Sequence, residues 1–92
     1  MERLSEHEIE VELAKTDAWI RDGDAITRKV ECGDFPKALL LINTVGHFAE
    51  KENHHPEIHN VYKWITFTLS THDAGGLTSK DFALARRINT LL

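Results

Sequence analysis

A long apolar stripe with a proline near each end limits the folds open to this chain. Phe35, Leu39, Ile42, Val45 and Ala49 recur at helical spacing, with Ala38, Leu41 and Phe48 beside them. Together they mark a wide helical face that must be buried. Asp34 ahead of the stripe suits an N-cap, and Pro36 is tolerated in a first helical turn. At the other end Pro56 disfavours helical geometry at His55, so the helix ends near Asn53 or His54. A helix this long with one broad apolar face needs a second layer to cover it.

Short alternating segments supply that layer. Trp19-Ile20-Arg21 reads as a strand closed by Asp22-Gly23-Asp24, in which Asp-Gly is a hairpin signal. Residues 25–32 alternate: Ile26, Arg28, Val30 and Cys32 point one way, and Thr27, Lys29 and Glu31 the other. Arg28 is expected to snorkel to an edge of the apolar side. A weaker strand covers 57–62 and a stronger one 64–71. In the latter Ile65, Phe67 and Leu69 face one side, opposite Trp64, Thr66, Thr68, Ser70 and His72. Two capping boxes bracket this central part. Ser5 and Glu8, with Leu4 and Ile9 as a staple, start a helix over about 5–15. Thr78 and Asp81, with Leu77 and Phe82, start a last helix carried by Ala85 and Ile88. The order α-β-β-α-β-β-α predicts an α+β fold: a four-stranded, mainly antiparallel sheet with helices packed on one face.

Ninety-two residues allow one domain over 1–92 with a small core, which favours burial of further surface in a homodimer or homotetramer. The net charge of −4 and scattered Lys and Arg predict no direct contact with nucleic acid. A single cysteine, Cys32, excludes an intrachain disulfide. No apolar run approaches the ~20 residues that span a bilayer, and the first six residues are too polar for a secretory signal. The expected location is cytoplasmic, with the nucleus open to a eukaryotic protein.

Chemistry concentrates in the histidines. There are six, and four of them (His54, His55, His59 and His72) lie between 54 and 72. Imidazole titrates near neutrality, so converging histidines can both donate and accept protons. On pattern alone His54 and His55 are equally readable as solvated helix-end residues. His72 is expected at the end of a strand, opposite the apolar row and beside Gly75-Gly76. The spacing is not that of a helix-borne zinc motif, so no metal is expected. Glu50 lies one helical turn before His54 and can orient an imidazole or stay solvated. Asp81 has a ready explanation as the capping-box acid.

Glu50-Lys51-Glu52-Asn53-His54-His55-Pro56, Tyr62, Thr71-His72-Asp73, Gly75-Gly76-Leu77-Thr78 and Asp81 together resemble the signature of the pterin-4a-carbinolamine dehydratase family. Trp19, Asp34-Phe35-Pro36 and Ala38 extend the resemblance over nearly the whole chain. It implies the same α-β-β-α-β-β-α fold. It also implies dehydration of 4a-hydroxytetrahydrobiopterin, left by aromatic amino acid hydroxylases, to quinonoid dihydrobiopterin, with no metal or organic cofactor. Carried onto this sequence, His54, His55 and His72 line a pocket for the pterin substrate. Glu50 and Asp81 support them, and Pro56, Ser70, Thr71, Asp73 and Ala74 form the wall. His54 and His72 are expected to move protons and His55 chiefly to bind; either proton carrier can serve as acid or base. The family further implies strand-to-strand dimers that pair again through helices. Some members partner a homeodomain transcription factor, which makes such a binding role one alternative for this chain; dehydration in another pterin pathway, such as that of molybdopterin, is the second. Asn53 departs from members with an acid there, and Val30 and Cys32 stand where an aromatic is common.

Overall fold

In the computed structural model, which describes residues 2–92, three helices and four strands follow the expected order. They are α1 (Glu6–Ala14), β1 (Ile20–Asp22), β2 (Ala25–Glu31), α2 (Phe35–Glu52), β3 (Glu57–Val61), β4 (Trp64–Leu69) and α3 (Ser79–Asn89). Both capping boxes form as read. Ser5 Oγ accepts the Glu8 amide at 3.2 Å while Glu8 accepts the Ser5 amide at 2.8 Å, and Thr78 and Asp81 make the equivalent pair on α3. Asp34 caps α2 through the Lys37 amide at 2.8 Å, with Pro36 in the first turn.

The sheet is wholly antiparallel, in the order β1-β2-β4-β3. Its central pair, β2 and β4, places Ile26 opposite Leu69 and Val30 opposite Ile65. These four and Phe67 are buried on one face, against Ile9 of α1, Ala38 and Val45 of α2, and Phe82, Leu84, Ala85 and Ile88 of α3. Large side chains buried this completely contribute about 1.5–3 kcal/mol each, so this single core dominates stability. The opposite face carries Thr27, Lys29, Thr66 and Thr68 and is not covered by a helix. Among the described residues no helix is long and apolar enough to cross a membrane.

Three sequence expectations need correction. β4 ends at Leu69 rather than at residue 71, because its neighbours run out: β2 opens at Ala25 and β3 at Glu57, which pairs with Thr68. The chain turns there, Thr71 bridging to Gly76 around a one-turn 3-10 helix, His72–Ala74, that closes on Gly75 at φ 73°. Arg28 is half-buried and donates to Asn89 Oδ1 at 2.6 Å instead of snorkelling; the same oxygen accepts the Trp19 indole N–H at 2.8 Å. The apolar stripe of α2 is wider than the core it meets. Ala38, Val45 and Ala49 are buried, but Phe35 and Leu39 are exposed together with Leu40.

Candidate active site

The site begins with the way α2 stops. Asn53 takes the left-handed conformation (φ 51°, ψ 43°), which Asn tolerates better than most L residues, and the His54 amide bonds back to the Ala49 carbonyl at 3.0 Å. The Asn at this departure from the family pattern thus suits the local backbone. Beyond this turn the two adjacent histidines have opposite fates.

His54 is buried, at 8% exposure, against the N-terminus of α3. Its Nε2 lies 2.5 Å from Asp81 Oδ1. Asp81 is fully buried, and its Oδ2 accepts the Thr78 amide at 2.9 Å and the Thr71 hydroxyl at 2.8 Å. Thr71 and Thr78 also bring their hydroxyls within 2.8 Å of each other. A buried carboxylate is costly unless its oxygens are satisfied, and here three donors converge on one. As the acceptor, Asp81 takes the Nε2–H of His54 and fixes the orientation of the ring, with Nδ1 turned away from the carboxylate. One acid therefore both starts a helix and orients an imidazole.

His55 points outward. Its side chain is 59% exposed and pairs through Nε2 with Glu50 Oε1 at 2.8 Å. Glu50 therefore orients His55 and not His54, although i to i+4 spacing favours His54. The left-handed turn at Asn53 takes His54 off the helical register and brings His55 round to Glu50.

His72 opens the 3-10 turn and is exposed. The turn brings it to the histidine pair, and a cavity of about 300 Å³ forms between them, at the small end for small-molecule sites. Six predicted residues line it: His54, His55, Ser70, Thr71, His72 and Asp73. Glu50, Pro56, Ala74 and Asp81 are not in the lining; Glu50 acts behind His55 and Asp81 behind His54. Asn53 and Lys80, not anticipated, complete the wall. Lys80 is in the first turn of α3, one residue before Asp81, and that adjacency was its only signal in the sequence. Tyr62, in the sequence signature, is exposed in the β3–β4 turn at φ 53° and does not line the cavity.

Among the described residues no three His, Cys, Asp or Glu side chains are grouped to hold a metal ion. Cys32 lies outside the cavity; burial, then Glu31 and Asp34, push its thiol above its ordinary pKa, away from the reactive thiolate.

A family model described as pterin 4 alpha carbinolamine dehydratase matches residues 2–91. The chain belongs to that family. A curated protein of Nocardia farcinica, provisionally named a pterin-4-alpha-carbinolamine dehydratase, is 46% identical over 90 residues, covering 98% of this chain and 95% of its own. The crystal structure of a transcriptional coactivator/pterin dehydratase from Brucella melitensis superposes with a TM-score of 0.93 at 36% identity, over 97% of each chain. A pterin dehydratase-like protein identified as a RuBisCO assembly factor in the alpha-carboxysome shares the fold, with a TM-score of 0.69 at 18% identity over 80% of this chain and 88% of its own.

Proposed function

We propose that this family member dehydrates a 4a-hydroxytetrahydropterin, 4a-hydroxytetrahydrobiopterin or a close analogue, to the quinonoid dihydropterin, in tetrahydropterin recycling. The observation that carries this reading is the cavity itself: three imidazoles from two separate segments converge on it, and one of them is locked by a buried acid. The reaction needs no electron transfer. The C4a–O bond breaks as an acid protonates the leaving hydroxyl, a base removes the proton from N5, and the N5 electron pair forms the C4a=N5 bond, so that one water leaves. Two positioned proton carriers suffice, each contributing about 10²–10⁴-fold.

We assign proton transfer to His54 and His72 and binding to His55. His54, held by Asp81, offers Nδ1 in a fixed orientation, the arrangement of a base oriented by a third group. His72, on a short exposed turn, is free to hydrogen-bond the ligand. His55 is already paired with Glu50 and suits contact with the ring. Ser70, Thr71 and Asp73 supply polar wall, while Pro56 and Ala74 shape the segments that carry it. The decisive assay mixes the protein with freshly generated 4a-hydroxytetrahydropterin and follows quinonoid product above the spontaneous rate. Acceleration that survives chelator treatment is expected; a rate equal to the background overturns the reading.

A second role, binding a helical partner such as a transcription factor, is favoured by one observation, the exposed Phe35, Leu39 and Leu40 on α2. The same flank, with the unpaired edges of β1 and β3, supports a homodimer or homotetramer. Light scattering at micromolar protein should give a multiple of 10.5 kDa. Monomers there, with the flank capturing a helical partner, would favour the binding role over self-assembly.

A further inference from the structure

Beside the histidine cavity lies a second one of about 310 Å³, and His55, Ser70 and His72 line both. The lining of the second cavity also includes two acidic residues, Asp24 from the β1–β2 hairpin and Glu57 at the start of β3. Ser70 joins Asp24 to the shared wall by donating its hydroxyl to the Asp24 carbonyl at 2.7 Å. No lysine or arginine is part of this lining. Arg3 reaches the Gly75 carbonyl, at 3.4 Å, from outside it, and Arg21, engaged by Glu6 and the Gly23 carbonyl, also attracts Asp24 from outside the lining. The histidine cavity, by contrast, has Lys80 in its wall.

The chemistry of the substrate connects the two spaces. Ring nitrogen N5, from which a proton must leave, is bonded both to C4a and to C6. The proton carrier at N5 therefore stands beside C6, and the one at the C4a hydroxyl is only two bonds from it. His72, one of the two proton carriers, borders both cavities, so a substituent on C6 that passes His72 enters the second one. We propose that the second cavity is a specificity subsite that takes the C6 substituent, with Asp24 and Glu57 accepting hydroxyl donors of a neutral chain and excluding an anionic one. This rests on the dehydratase reading above. A carboxylate or phosphate on C6 would meet two like charges, of which Arg21 offsets only that of Asp24 and from outside the lining, whereas a hydroxyl can donate to either carboxylate.

The test uses two tetrahydropterins of nearly equal size, one with a 6-(2-hydroxyethyl) and one with a 6-carboxymethyl group, each converted to its 4a-hydroxy form. For the wild-type protein kcat/KM should favour the hydroxyethyl compound about five- to tenfold at low salt, the scale of like-charge repulsion at a wet surface. In 0.5 M salt the preference should shrink as the charges are screened. Glu57→Gln and Asp24→Asn should each raise the carboxymethyl-to-hydroxyethyl ratio of kcat/KM about threefold or more. A wild-type ratio near one, or a ratio that neither salt nor either substitution moves, overturns the subsite. So does an equal loss on both substrates with the ratio intact, since the carboxylates would then be reading the ring itself. If neither compound is turned over above background by the wild-type protein, the dehydratase reading fails instead. The salt series on the wild-type protein decides the matter even if a variant fails to fold.

Discussion

His54 and His55 are neighbours in the chain and opposites in the fold. His54 is buried and bonded to a carboxylate that two further donors hold in place. His55 is exposed and bonded to Glu50, whose own side chain is 82% exposed. The first pair is fixed by packing between α2 and α3. The second is a surface contact that solvent screens and that contributes little to stability. Beyond Asn53 in its left-handed turn, one histidine becomes a component of the core and its neighbour a component of the surface. Identical side chains at adjacent positions thus carry different proportions of structure and chemistry.

The sharpest way to break the contrast is to remove the buried acid. Asp81→Ala leaves the His54 N–H, the Thr71 hydroxyl and the Thr78 amide without their acceptor and deletes the α3 capping box. The expected cost is about 3–5 kcal/mol, a large part of a small domain's total, read as the shift in urea midpoint. A shift no larger than that of a surface substitution would mean that the network does not hold the fold. Next in size is a matched pair at the end of β4, one residue in the strand and one in the turn that follows it. Leu69→Ala should cost about 2–5 kcal/mol of stability, because a fully buried side chain leaves a cavity. His72→Ala should stay within about 0.5 kcal/mol yet lower the catalysed rate roughly 10²–10⁴-fold. If His72→Ala unfolds as readily as Leu69→Ala, then His72 is structural.

Much of this was legible in the sequence, for physical reasons. Capping boxes and the stop at Pro56 are local, encoded within a few residues of where they act, and each formed where it was read; strand alternation, equally local, placed the strands but not the end of β4. The His54–Asp81 bond spans 27 residues and depends on how α2 meets α3, which no local pattern records. Glu50 was readable as an orienting acid, but its partner was decided by the turn at Asn53. The end of β4 was misread because alternation continues through Ser70 and His72 while the neighbouring strands do not. Phe35 and Leu39 look like core by period and stay exposed because nothing within one copy of the chain covers them.

Smaller effects sharpen the comparison further. Thr71→Val removes one of the two donors on Asp81 Oδ2 and should cost about 1–2 kcal/mol, with Thr71→Ser restoring most of it. Full stability in the valine variant would show that the Thr78 amide alone suffices for that oxygen. Smallest of all, Glu50→Ala should leave the urea midpoint unmoved, since among the described residues its carboxylate pairs with the exposed His55. Its effect should appear as a severalfold rise in KM with little change in kcat; a fall in kcat as large as that of His72→Ala would make the Glu50–His55 pair a proton carrier.

The contrast between the neighbouring histidines is tested most directly by three rates measured side by side. His54→Ala, His55→Ala and His72→Ala would be assayed with 4a-hydroxytetrahydropterin, each rate corrected for spontaneous dehydration and for the folded fraction by circular dichroism. Losses in kcat of roughly 10²–10⁴-fold are expected for His54→Ala and His72→Ala, and for His55→Ala a loss at least tenfold smaller, expressed mainly in KM. Equal losses in kcat for all three, or the largest loss at His55, would contradict this contrast.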